Sequence, residues 1–299
     1  TVMSYEGWII LTGSLVGITC GITGCFLILR RMAMLADAIS HTVLLGIVGA
    51  YLVSSSLEGI YMFVGALIVG LLTAFFVQLL HSSGVQSDAA IGVVFTSLFA
   101  LGVILLSLYA GRIHLDVDHA LMGEIAFVPW DTLVLGGMEL GPKAVWMLGT
   151  VLVINLAIII FFYKELKICA FDPEMALAIG IPVMFMHYLL MGMLSITTVA
   201  SFDSVGAILV VAMLIAPGAS AYLLTDKLSV MLGLSALIGI ASAVLGYYAA
   251  YLFNVSISGS MASMAGILFV LTFFLSPKHG LVMKWFFRRN LSRESSGIQ

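Results

Sequence analysis

Charge is what this sequence has least of. Of its 299 residues, 12 are Lys or Arg and 15 are Asp or Glu, so 9% of the chain is charged and 62% is hydrophobic. A soluble domain carries roughly 25% charged residues, so this composition cannot supply a water-exposed surface. With a mean hydropathy of +1.19, most of the chain must face lipid or other buried helices. Cysteine is scarce as well: Cys20, Cys25 and Cys169 show no CxxC or CxxH spacing, and three buried thiols are expected in place of a disulfide or zinc site. No HExxH is present, so an intramembrane zinc protease has no motif to rest on, and no GxxxxGK[ST] loop is present to cradle a phosphate. Nor is any soluble segment large enough for a nucleotide-binding domain. If ATP energises this protein, the ATPase is a separate chain, and no nucleic acid is expected as a partner. The 30 glycines and 17 methionines follow no short repeat, which suits closely packed membrane helices better than a collagen-like or low-complexity chain.

A spanning helix needs about 20 predominantly apolar residues, and nine runs qualify: approximately 7–29, 32–53, 60–80, 89–110, 144–163, 184–202, 205–224, 229–252 and 260–276. The first comes after Glu6 without a basic flank and leads into further spans, so it is expected to be a membrane helix and not a signal peptide. Runs six and seven are parted only by a short segment around Asp203-Ser204, and the seventh holds Pro217-Gly218. Eight spans with a partly broken helix over 184–224 is the alternative. The fold class expected is an all-α polytopic bundle, with residues 1–281 as a single transmembrane domain and 282–299 as a basic tail.

The basic residues orient it. With Arg30 and Arg31 in the cytoplasm, alternation over nine spans also places Lys164, Lys167, Lys227, Lys278, Lys284, Arg288, Arg289 and Arg293 there, leaving only Arg112 and Lys143 outside. That bias predicts an outer N-terminus and a cytoplasmic C-terminus. The outer connection 111–143 is acidic and too long for a simple turn. Its cluster of His114, Asp116, Asp118 and His119 reads as a solvated loop face, or else as a site that attracts cations or contacts a delivery protein. His187 and His279, near the cytoplasmic ends of spans, read as interfacial.

On the cytoplasmic side, Asp172-Pro173-Glu174 has the order of an N-cap, a first helical position and a first-turn acid, and Gly180 with Pro182 ends the helix they open. A helix of about two turns is predicted. Its sequence Met175-Ala176-Leu177-Ala178-Ile179 is too apolar for a free loop and needs either a partner or the headgroup region to cover it.

A charge within a span is a functional hypothesis by default, since burying it unpaired costs several kcal/mol. Asp37 and His41 are the clear case. At i and i+4 they share one face of the second span, and a carboxylate beside an imidazole offers two ligands to a borderline divalent cation such as Mn²⁺, Fe²⁺ or Zn²⁺. The same pair also reads as a structural hydrogen bond or a proton relay, and a proton-coupled secondary metal transporter that uses it without an ATPase is the alternative function. Asp203 reads as an N-cap for the next helix or as a gate ligand. Gly13, Gly17 and Gly21 have successive GxxxG spacing, which lets two helix backbones approach.

Beyond these local readings, the block from Gly24-Cys25-Phe26 through Arg30-Arg31-Met32 to Leu35-Ala36-Asp37-Ala38-Ile39-Ser40-His41 resembles the signature of permease subunits of manganese, zinc and iron ABC importers. Ala170-Phe171-Asp172-Pro173-Glu174, the run Val205–Ala219 and Ser276-Pro277-Lys278-His279-Gly280-Leu281 match the same family. The resemblance implies a type II importer fold with a second permease subunit, identical or paralogous, across a central pathway. ABC ATPase subunits would dock below and an extracytoplasmic metal-binding protein would deliver the cargo, all in a bacterial plasma membrane. It further implies that residues 172–180, among them Asp172, Pro173, Glu174, Ala178 and Gly180, form the coupling helix that enters a groove on the ATPase. It puts Asp37 and His41 on the pathway and gives Asp203 a weaker claim near the gate. No cofactor is held permanently; the divalent cation is cargo, with Mn²⁺ favoured over Zn²⁺ or Fe²⁺.

Overall fold

The apolar runs fold as helices with few interruptions, and each interruption has a local cause. The computed structural model describes residues 4–54, 59–109, 125–135 and 138–276. In chain order the helices are α1 (Tyr5–Leu29), α2 (Met34–Ser54), α3 (Gly59–Ser82), α4 (Ser87–Tyr109), α5 (Lys143–Phe161), α6 (Tyr163–Phe171), α7 (Pro173–Ala178), α8 (Val183–Val205), α9 (Ala207–Leu224), α10 (Leu228–Phe253) and α11 (Ile257–Leu275). All but α6 and α7 are long and apolar enough to cross a membrane, giving nine candidate spans among the described residues. The eight-span alternative is not what forms. Gly206, at φ +82°, ends α8 and starts α9, a left-handed conformation that glycine adopts without steric cost. Pro217 lies inside α9 without ending it, as membrane helices tolerate.

Small residues set how closely the spans approach. A Cβ on Gly17 would lie 2.7 Å from the Gly239 carbonyl of α10, and one on Gly24 would overlap the backbone of Leu214 in α9. α1 therefore runs backbone to backbone with two neighbours, and its glycine series does the packing its spacing predicts. Gly46 of α2 meets Gly65 and Ala66 of α3 in the same way, while α8 passes between the two groups and touches α1, α2, α3 and α5. Cys20, Cys25 and Cys169 are free and buried, as expected.

Between α4 and α5, the described part of the long connection is a 3-10 turn, Ile125–Trp130, and then a hairpin of β1 (Thr132–Leu135) and β2 (Met138–Pro142). Tyr5 Oη donates to the Ala126 carbonyl at 2.6 Å, and Lys143 pairs with Asp131 at 2.7 Å. The His114–His119 cluster, Lys278, His279 and the tail 282–299 lie outside the described residues. At the opposite end of the bundle, Asp172 caps α7 by accepting from the Met175 N–H at 2.9 Å. Gly180, at φ +85°, closes it, with Gly180 N–H donating to Leu177 O and Ile181 N–H to Ala176 O. This two-bond ending, with glycine in the left-handed position, is a Schellman motif.

Candidate metal pathway and coupling surface

Met34 begins α2 only a short link after α1 ends, yet the start of α2 is sunk well into the bundle. The neighbours of Gly70, midway along α3, measure the depth: a Cβ there would lie 3.2 Å from Ser195 Oγ and 3.4 Å from Ile39 Cγ2. Ser195 is itself midway along α8. Ile39 stands between Asp37 and His41 in sequence, so the pair sits near mid-height of the spans although it occupies the first two turns of its helix.

His41 Nε2 is 3.5 Å from Asp37 Oδ1. Two ligands about 2.1 Å from one ion, at angles of roughly 90–110°, lie about 3.0–3.4 Å apart. The two atoms therefore need only a small rotamer adjustment to hold one divalent cation together. Phe95 and Phe99 of α4 flank the imidazole, with ring centroids 5.3 Å and 5.8 Å away, fixing the side of the ring that is closed. The other side is open: His41 and Asp37 keep 38% and 39% of their side-chain surface exposed. At this depth an open carboxylate cannot face hydrocarbon at acceptable cost. A water-filled path or a second subunit must cover it. No set of three His, Cys, Asp or Glu side chains that could hold a metal converges among the described residues, so the described part of this chain supplies two ligands there.

Asp203 is not an N-cap. The N-cap of α9 is Gly206, with no side-chain hydrogen bond, and Asp203 lies exposed in the last turn of α8. The cap reading failed because the helix continues past it to Val205. Eight residues beyond Ser195, it stands about 12 Å further along the axis at 1.5 Å per residue, towards the end that carries the hairpin. The structure does not bring it into one group with Asp37 and His41.

In the coupling candidate, only Ala176 is buried between Phe171 and Gly180; Asp172, Pro173, Glu174, Ala178 and Gly180 are all exposed. Met175, Leu177 and Ile179 are 57%, 62% and 55% exposed, which is the uncovered apolar patch its composition predicts. Sequence reasoning missed what stands beside it. His187 reads as interfacial from position alone, but it is buried, and Arg30 Nη1 donates to its Nδ1 at 3.0 Å. The only signal in the sequence was the distribution of cationic side chains at this end. A second polar contact, Asn155 Nδ2 donating to Thr197 Oγ1 at 2.6 Å, ties α5 to α8 in the bundle interior.

The chain is similar to known proteins over nearly its whole length. The model of the ABC 3 transport family matches residues 4–276. The chain is 65% identical to the manganese transport system membrane protein MntD of Bacillus subtilis, over 99% of this chain and 100% of that protein. It is 45% identical to the zinc transport system membrane protein TroD of Treponema pallidum, over 95% of this chain and 77% of that one. Among solved structures, PsaBC from Streptococcus pneumoniae in complex with Fab superposes with a TM-score of 0.76 at 36% identity, covering 93% of this chain and 94% of that chain. The helical polytopic fold expected from sequence, here with one small strand pair added, is thus shared with a solved relative.

Proposed function

The chain belongs to the ABC 3 transport family, and from that membership we propose that it is the multi-pass membrane permease of an ATP-driven divalent-metal importer whose cargo is manganese. The observation that carries the pathway is the open Asp37–His41 pair at mid-height of the bundle. Two ligands bind a cation weakly enough to release it. A second permease subunit, identical or paralogous, facing the same pathway would complete the coordination and cover the exposed side of the pair. Manganese is favoured because the relative that is 65% identical is named for manganese transport; the zinc name of the 45% identical one and the chemistry of a carboxylate with an imidazole keep zinc and iron as competitors.

Transport then runs by alternating access. The end of the bundle with Arg30, Arg31, Lys164 and Lys167 faces the cytoplasm, in line with the positive-inside bias. There the exposed apolar face of α7 docks on an ATPase held in a separate chain. ATP-driven closure transmitted through α7 opens the pathway outward, a binding protein hands the cation to Asp37 and His41, and hydrolysis resets the gates. The proton-coupled alternative has lost its ground, because the family is an ABC family and an uncovered two-turn apolar helix suits docking to an ATPase.

His41→Ala is the test. Manganese accumulation in cells carrying the full transporter should fall to background, while the complex still assembles and hydrolyses ATP. Unchanged uptake would overturn the assignment of the ligand.

A further inference from the structure

A cleft of about 730 Å³ opens beside α7, at the basic end of the bundle, among the α1–α2 link, the end of α3, α6 and the start of α8. Its polar lining is Arg30, Arg31, His81, His187 and Gln78, with no Asp or Glu among the lining residues. The rest of the wall is apolar, with Phe171 and Met184 both more than half exposed.

The protonation pattern of His187 is set by its partner. A guanidinium only donates, so Nδ1, 3.0 Å from Arg30 Nη1, must accept, and the ring proton resides on Nε2. His187 is 7% exposed, and Nε2 has no hydrogen-bond partner among the described residues. A buried N–H without an acceptor is costly to leave unmade. Arg30 compounds the deficit, because among the described residues no carboxylate lies within ion-pair distance of it. Arg31, at φ +58°, occupies the left-handed position that ends α1, where glycine would avoid strain. An arginine kept at that position adds a second cation to the rim.

We propose that this cleft is a binding site for a phosphate-bearing anion, and that its occupant is the headgroup of an anionic phospholipid from the leaflet at the basic end of the bundle. The phosphate accepts from Arg30 and Arg31, with Arg30 held in place by its 3.0 Å bond to His187 Nδ1, and the glycerol and upper acyl chains lie over Phe171 and Met184. A free phosphate would satisfy the same donors but leave the apolar wall uncovered, whereas basic pockets between helices at this depth suit lipid headgroups. Because α7 forms part of the wall through Pro173 and Leu177, a lipid seated here would brace the coupling helix. Lipid binding at this cleft does not depend on which metal is transported.

The test uses the full chain co-purified with its ATPase and exchanged into phosphatidylcholine nanodiscs with and without phosphatidylglycerol, with native mass spectrometry counting retained lipid. Wild type should retain phosphatidylglycerol over phosphatidylcholine. Arg30→Gln should weaken retention about tenfold, the scale of one lost charge-assisted hydrogen bond, and His187→Leu, which frees Arg30 from its 3.0 Å partner, should weaken it less. Arg30→Lys, which keeps the charge should the neutral variants misfold, should retain most of it. Lys227→Gln, a basic residue outside the cleft, should change nothing. Equal retention in Arg30→Gln and wild type, or equal loss in Lys227→Gln, would overturn the site. Inorganic phosphate that stabilises wild type against heat through Arg30, with no lipid retained, would overturn the lipid as its source.

Discussion

Gly17 and Gly239 meet backbone to backbone: a Cβ on either would lie within 2.7 Å of the other's peptide group. Neither side can yield, since the atoms met are main chain and not the tip of a flexible side chain. Gly17→Ala should therefore lower the melting temperature of the detergent-purified protein, with an overpacking cost of about 1–3 kcal/mol. Gly49, in α2, has nothing within 4 Å of its Cβ direction. Gly49→Ala should leave the melting temperature unchanged or raise it, by up to about 1 kcal/mol of helix preference. A larger loss from Gly49→Ala than from Gly17→Ala would contradict this packing account.

Asp203 stands in the last turn of α8 without capping the next helix. A carboxylate there opposes the helix dipole, so removing its charge should stabilise the helix by about 0.3–1 kcal/mol. We propose that Asp203 acts on the cargo at the outer end of the path, apart from Asp37 and His41. Asp203→Asn should raise the KM of manganese uptake several-fold with little change in maximal rate, whereas Asp37→Asn should abolish the maximal rate itself. Initial-rate uptake of radioactive manganese separates the two, and an unchanged KM would remove Asp203 from the pathway.

Most of the fold was legible because a spanning helix is a local object. About twenty apolar residues write it wherever they occur, and the predicted bounds of α10, 229–252, differ from Leu228–Phe253 by one residue at each end. The cap, first-turn proline and closing glycine of α7 were equally local and formed as read. Asp37 and His41 were visible because i and i+4 fixes their common face. Their depth was not, since it depends on how far α2 sinks beside α3 and α8. The Arg30–His187 bond joins residues 157 apart in sequence, and no spacing rule reaches that far. Asp203 misled because the end of α8 is decided two residues later, at Val205.

Thiol chemistry offers a check on the interior. Cys20 and Cys25 are fully buried and Cys169 is 2% exposed. Burial pushes the Cys169 thiol above its ordinary value, with the nearby Arg30 charge only partly opposing this. The folded protein should therefore resist maleimide at neutral pH and take up label at all three positions only on unfolding. Rapid stoichiometric labelling of the native protein would show that the helices around α1 and α6 are open to solvent.

The proposed coupling surface should separate docking from transmission. Glu174 is exposed in the first turn of α7, beside the uncovered Met175 and Leu177, so reversing its charge acts on the partner and not on the bundle. Glu174→Arg should reduce co-purification of the ATPase. Asp172 instead holds the helix itself through its 2.9 Å bond from the Met175 N–H, and its loss costs about 1 kcal/mol of cap. Because the Schellman ending and buried Ala176 remain, Asp172→Ala should still bind the ATPase but turn over ATP with a lower yield of transported manganese. Pull-down and the ratio of metal moved to ATP consumed in proteoliposomes distinguish the two variants. If both lost the ATPase to the same extent, α7 would be only an anchor, and the transmission step would have to pass through another part of the cytoplasmic surface.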